Sequence, residues 1–287
     1  MTLVRQRPGQ ARSVWTREDS EYLERGLAEL GLSASVEQMT RLRTYAELVL
    51  KWNRTYNLLG TTDTVALVQD HLLDSLATIP ALTRWLPGDA VLLDIGSGAG
   101  LPGLVLAIML HPLPILLVEP NGKKTAFLRQ VVAQCRLETV QVIESRIEEL
   151  APTHSRPTHS TPSPMAPMPS ARTTRSAEPR TVTTTPHFIC RAFTSLDRFA
   201  ALCRPQLSSG SLLFAMKAAR VAEELAELDE SLEVLAVEPL QAVGKDAQRN
   251  LVVMQSKPTA SHLAYNNADR MHGSAAGGML GNHSHDR

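Results

Sequence analysis

The stretch Asp94-Ile95-Gly96-Ser97-Gly98-Ala99-Gly100-Leu101-Pro102-Gly103 has the residue types and spacing of a nucleotide-binding turn. Alternating glycines let the backbone turn sharply and let a ligand come close to it. Taken literally, Gly98-x-Gly100-x-x-Gly103 matches a dinucleotide fingerprint, and Glu119 stands about 20 residues on, where a ribose-binding acid is expected. On that reading the chain is a NAD-dependent oxidoreductase. Two features favour S-adenosylmethionine instead. The triple Gly96-x-Gly98-x-Gly100 comes first, directly at a strand end, and Asp94 immediately precedes it. A carboxylate there is poorly placed beside a pyrophosphate, but it suits a ligand with a cationic amino-acid end and a sulfonium. Glu119 accepts from ribose hydroxyls under either reading.

Other residues carry weaker signals. His71 and Asp74, three apart on one helical face, either help to position a substrate or fix a junction by hydrogen bonding. Trp52 reads as core, whereas Asn53 and Asn57, at i and i+4, are candidates for RNA contact. Lys123 and Lys124, with Arg129, open a helix and either neutralise phosphates or form a solvated face. Lys217 ends a strand at the edge where ligands bind in such sheets. Arg249 either holds phosphate or snorkels. Cys135, Cys190 and Cys203 are too few and too unpatterned for a disulfide framework or a zinc site, and Cys190 reads as packing rather than as a nucleophile. No metal site is expected.

These residues need a scaffold. Residues 16–85 show helical periodicity, with Thr16/Asp19 and Ser35/Gln38 as helix starts, and a third helix is expected from Thr64 to Ile79, interrupted by Pro80. From Ala90 the pattern changes to short apolar runs (90–95, 115–119, 140–144, 187–190 and 211–217) that alternate with helical stretches. That is the signature of a parallel, doubly wound α/β sheet of Rossmann-like type. The runs 232–240 and 250–255 alternate and read as an antiparallel strand pair at the sheet edge. The expected organisation is a flexible N-terminus (1–15), a helical cap (16–87), a nucleotide-binding sheet domain (88–256) and a disordered tail (257–287). A Pro/Thr/Ser-rich insertion over 151–186, expected to be disordered, interrupts the sheet domain.

Composition adds bounds. No run of 18 apolar residues occurs and the N-terminus lacks a secretory pattern, so a cytoplasmic protein with no membrane span is expected. Twenty-nine basic residues balance 29 acidic ones, so a polyanion partner is not favoured by the total and has to be judged locally.

Several segments together resemble one family: KWNRTYNL (51–58), HLLDSL (71–76), LLDIGSGAGLPG (92–103), LLVEPNGKKTAFLRQ (116–130), SRIEEL (145–150), CRAFTSL (190–196) and AMKA (215–218). They are similar to the RsmG family, also called glucose-inhibited division protein B, the bacterial 16S rRNA (guanine-N7) methyltransferases. The resemblance implies a Rossmann-like methyltransferase fold, S-adenosyl-L-methionine as methyl donor and the small ribosomal subunit as partner, with a monomer expected. Carried onto this sequence, Gly96 and Leu101 fall in the cofactor loop, Ile147 and Glu148 meet the adenine, and Arg191 belongs to the cofactor site. Cys190 stands where the family has Ser, which leaves a hydroxyl role there without a carrier. With Asp94, Gly98 and Glu119 these complete the cofactor candidates. His71, Lys123, Lys124, Lys217 and Arg249 are the substrate candidates.

Overall fold

Helix α1 (Arg17–Glu29) and helix α2 (Val36–Tyr56) both begin in reciprocal capping boxes, Thr16 with Asp19 and Ser35 with Gln38. In each, a side-chain oxygen satisfies an N–H that the first helical turn leaves unpaired. Asn57 ends α2 in the left-handed conformation (φ 46°), which Asn tolerates better than most residues. The computed structural model describes residues 14–150 and 185–257, apart from positions 62, 193, 219 and 246. The expected N-terminal segment, insertion and tail lie outside these residues except at their margins. There, Trp15 is buried and donates its indole N–H to Ser20 Oγ at 2.9 Å, and Pro186 already belongs to a strand.

The third helix is not continuous. It runs as α3 (Thr64–Leu67), a π-helical turn (Val68–Leu73) and α4 (Asp74–Leu76). Pro80 does not interrupt this run; it opens the next helix, α5 (Ile79–Trp85). The first helical turn has no intrahelical use for the N–H that proline lacks.

The sheet strands are β1 (Val91–Ile95), β2 (Ile115–Val118), β3 (Val140–Ile143), β4 (Pro186–Arg191), β5 (Leu213–Lys217), β6 (Leu232–Leu240) and β7 (Arg249–Ser256). Their order is β3-β2-β1-β4-β5-β7-β6. The first five are parallel, with Leu93 level with Leu116 on one side and Phe188 on the other. β7 runs antiparallel to β5 and pairs with β6 at the edge, as the alternating runs predict. The strand order reverses between β1 and β4, and the crevice outside the strand ends at such a point is where ligands bind in open α/β sheets.

Period-2 alternation assigns each strand residue to one of two cores. Leu92, Leu117, Ile189, Phe214 and Val253 pack with α6 (Gly103–Met109), α7 (Gly122–Gln134) and the apolar stripes of the N-terminal helices. Leu93, Val118, Phe188, Ala215 and Val252 pack with α8 (Leu196–Cys203) and α9 (Val221–Ala226) on the opposite face. The N-terminal helices and one face of the sheet therefore share a single core.

Candidate cofactor site at the glycine loop

The glycine loop leaves β1 at Ile95 and enters α6 at Gly103. Gly96, Gly98 and Gly100 all have positive φ (68°, 59° and 87°), which a residue with a Cβ adopts only under strain. A Cβ on Gly100 would lie 2.2 Å from Leu104 Cδ1, and one on Gly103 would lie 2.5 Å from both Asp94 Oδ2 and Leu117 Cδ2. Glycine is thus needed at the loop's end for close helix–sheet packing. At Gly98, by contrast, an added Cβ would meet only the Gly96 carbonyl, at 3.7 Å.

Six of the loop N–H groups are spent inside the protein. Gly96 and Ser97 donate to the Val118 carbonyl, Gly100 and Leu101 to the Ser97 carbonyl, Gly98 to Glu119 Oε2 and Gly103 to Asp94 Oδ2. A dinucleotide pyrophosphate is held by loop N–H groups that point out at it. Six of those N–H groups are committed here, which weakens the oxidoreductase reading.

Two carboxylates organise the loop. Glu119, at the end of β2, is 5 % exposed and accepts from Gly98 N–H and Asn121 N–H, both at 2.9 Å. Asp94 is fully buried. Burial pushes its carboxyl up to about 7, against the opposing pull of the Gly103 N–H and the Arg191 charge. Asp94 Oδ1 has no hydrogen-bond partner in the protein. A buried acceptor left open is costly, so an unused carboxylate oxygen beside a ligand loop points to a donor from outside. A cleft of about 230 Å³ opens beside the loop, lined by Gly96, Val118, Ile147, Glu148 and Thr194 among others.

The profile of the rRNA small subunit methyltransferase G family matches residues 38–160 and 173–252. The chain belongs to this family. A Polaromonas protein named ribosomal RNA small subunit methyltransferase G is 35% identical over 253 residues, which is 86% of this chain and 98% of that protein. Its namesake from Chromobacterium violaceum is 36% identical over 232 residues, 81% of this chain and 95% of the relative. The chain is thus an S-adenosyl-L-methionine-dependent methyltransferase. Its residues fit that cofactor: a buried, unpartnered carboxylate oxygen at the root of the glycine loop, and a cleft at the strand ends for the nucleoside.

The predicted cofactor residues fall into three places. Gly96, Ile147 and Glu148 line the cleft. Asp94, Gly98 and Glu119 form the hydrogen-bonded frame of the loop. Leu101 is buried in the core shared with the N-terminal helices. Arg191, at the end of β4, turns towards those helices. Its Nη2 lies 2.8 Å from His71 Nδ1, and its Nη1 donates to the Asp70 carbonyl at 3.2 Å and lies 3.9 Å from Asp74 Oδ2. Burial, with the adjacent guanidinium, lowers the His71 pKa to about 4, so the ring is neutral at pH 7 and can accept from Arg191.

Of the two roles weighed for His71 and Asp74, the contacts describe the junction. Asp74 also pairs with Arg249 (3.1 Å) and Lys245 (3.3 Å), so the Arg249 guanidinium is engaged in tying β7 to α4. Lys217 does not extend into the crevice. It is 10 % exposed, pairs with Glu224 Oε2 at 2.8 Å and donates to the Thr194 carbonyl. Asn53 is structural: it accepts from Leu59 N–H at 2.8 Å and donates to the Thr61 carbonyl, shaping the turn after α2. Trp52 packs on Phe127 and donates to Gln130 Oε1 at 2.7 Å. Lys123 and Lys124 stand at the start of α7, Lys123 exposed and Lys124 partly so.

Three further residues matter here, and only the last carries a sequence signal of its own. Tyr45, within the apolar stripe of α2, is fully buried and donates to the Ala99 carbonyl of the glycine loop at 2.7 Å. Glu224 accepts from both Lys217 and the Leu196 N–H. Asn121 caps α7 by accepting from the Lys123 and Lys124 N–H groups; Asn ahead of Gly-Lys-Lys was a legible start signal.

Proposed function

We propose that this chain transfers a methyl group from S-adenosyl-L-methionine to N7 of one guanine in 16S rRNA of the small ribosomal subunit, acting as a cytoplasmic monomer. The observation that carries the cofactor half is the buried, unpartnered Asp94 Oδ1 beside a glycine loop in which six N–H groups are already bonded. The RNA half rests on the names of the relatives. S-adenosylmethionine, when bound, supplies a methyl carbon made electrophilic by its sulfonium.

The chain's residues then have positioning tasks. Asp94 offers an acceptor to the cationic amino end. Gly96, Ile147 and Glu148 shape the nucleoside cleft, and Glu119 holds the loop while keeping lone pairs for ribose hydroxyls. Guanine N7 has a free lone pair at neutral pH, so no side chain has to remove a proton. Holding donor and acceptor in line can supply about 7–11 kcal/mol of the barrier. The test is transfer of labelled methyl to small subunits from cells lacking the enzyme, followed by mapping. Label at a single 16S guanine, lost as 7-methylguanine on hydrolysis, is the expected result. Label in protein, or at another base atom, defeats the RNA or the N7 assignment respectively.

A further inference from the structure

We infer that the seam between the end of α2 and the start of α7 is the docking surface for a single-stranded stretch of the RNA substrate, with Tyr56 as the stacking platform and Lys123 and Lys124 as the phosphate contacts. This rests on the proposed RNA reading and names the surface that would serve it. Tyr56 is a large aromatic side chain left 46 % exposed, in a chain with only 4% aromatic residues. It is not loose: its ring packs against Trp52 at 5.0 Å between centroids, and Trp52 is fixed to α7 through Phe127 and Gln130. A pinned, exposed ring loses little freedom when a base stacks on it, and stacking tolerates any base.

The charge placed over the ring is positive. Lys123 Nζ lies 5.9 Å from the Tyr56 centroid, and neither Lys123 nor Lys124 has a carboxylate partner among the described residues. The nearby acids are engaged elsewhere. Glu144 accepts from Arg129 and the Thr125 hydroxyl, and Glu119 from two backbone N–H groups. An incoming base replaces the ammonium over the ring, and the flexible lysine stem carries the charge to the flanking phosphate. The neutral total charge therefore conceals a local basic and aromatic face.

The surface also leads to the site. Lys124 lies one helical turn before Leu128, whose side chain approaches within 3.0 Å of a Cβ built on Gly100 of the glycine loop. Asn121, which caps this helix end, is bonded to the same Glu119 carboxylate that holds Gly98. The two lysines thus stand on the helix start that Asn121 and Glu119 tie to the glycine loop.

The test measures binding of a labelled mixed-sequence single-stranded RNA dodecamer by anisotropy across a salt series, together with methyl transfer to small subunits. Tyr56→Ala is expected to weaken dodecamer binding about tenfold, with Tyr56→Phe restoring it. Lys123→Ala/Lys124→Ala is expected to reduce the log–log salt slope by about 1.4, since each single-strand phosphate contributes about 0.7. S-adenosylmethionine affinity stays within twofold in all variants, and KM for subunits rises. An unchanged slope in the double variant, equal binding by Tyr56→Ala and wild type, or a preference for duplex RNA or an acidic protein over the dodecamer each overturns the inference. If wild type binds the dodecamer through this surface yet methylates no subunit RNA, the proposed reaction falls and the docking surface stands.

Discussion

Asp94 illustrates how a single side chain is set against the stability of the fold. Its carboxyl is raised from 3.8 to about 7, chiefly by burial. Between those values the native state retains a proton that the unfolded chain has released, so stability present at low pH is lost as the pH rises towards 7. Binding a cationic ligand requires the ionised form, so affinity runs the other way. Calorimetric S-adenosylmethionine binding is expected to tighten roughly tenfold between pH 5.5 and 7, following the ionised fraction. The melting temperature of the free protein falls over the same range. Asp94→Asn should bind weakly and show neither trend; a wild-type profile parallel to the Asn variant would remove Asp94 from the cofactor site. The sequence makes Asp94 legible as a candidate because it abuts the glycine triple. It does not reveal that the second oxygen is left unpartnered, because that depends on which donors the folded chain brings to a fully buried carboxylate.

At the scale of elements, strands and caps were legible because their signals are local: short apolar runs for the parallel strands, alternation for the edge pair, or a Ser and a Gln three apart. The π-helical turn at Val68–Leu73 was not, because the periodicity on either side of it is helical. Lys217 was misplaced for a related reason. Its strand end faces the crevice, as expected, but the direction of its side chain is set by Glu224, on a helix the sequence marks only weakly. Lys217 and Glu224 together hold the segment after β4, through the Thr194 carbonyl and the Leu196 N–H. Thr194 lines the cleft, so this ion pair is a brace for the cleft wall. Lys217→Met is expected to destabilise by about 3 kcal/mol, the low end for removing one partner of a buried pair because Glu224 is partly exposed. It should also lower the rate of methyl transfer in the folded enzyme more than it lowers cofactor affinity. Lys217→Arg, which can reach both acceptors, should recover most of each loss. Denaturant unfolding and single-turnover transfer at saturating cofactor measure the two effects, and a Met variant with wild-type transfer would show that the brace does not shape the acceptor side.

For the whole molecule, the boundary between helical cap and sheet that the sequence suggests is crossed by one apolar core and by the chain's own return. Trp85 and Arg84 of α5 bond Glu238 of β6, Gln69 donates to the Gly244 carbonyl at 2.6 Å, and Lys245 pairs with Asp70. Asp74 is the hub: its 9 %-exposed carboxylate faces Arg249, Lys245 and Arg191, from β7, the loop before it and β4. Elements joined by a common core and a common buried charge cluster should unfold together. The described residues are therefore expected to give one calorimetric transition, with calorimetric and van't Hoff enthalpies equal, despite two segments of different sequence character. Asp74→Asn leaves two guanidinium groups without their carboxylate and should cost about 3 kcal/mol. At this chain length that lowers the transition by roughly 6–12 °C. The peak should move without splitting, because the apolar core shared by the N-terminal helices and the sheet still couples the two sides once the carboxylate is gone. A split peak in the variant, with an early transition carrying the helical signal of residues 16–85, would mean that the shared core alone cannot couple the two and that the Asp74 cluster does so.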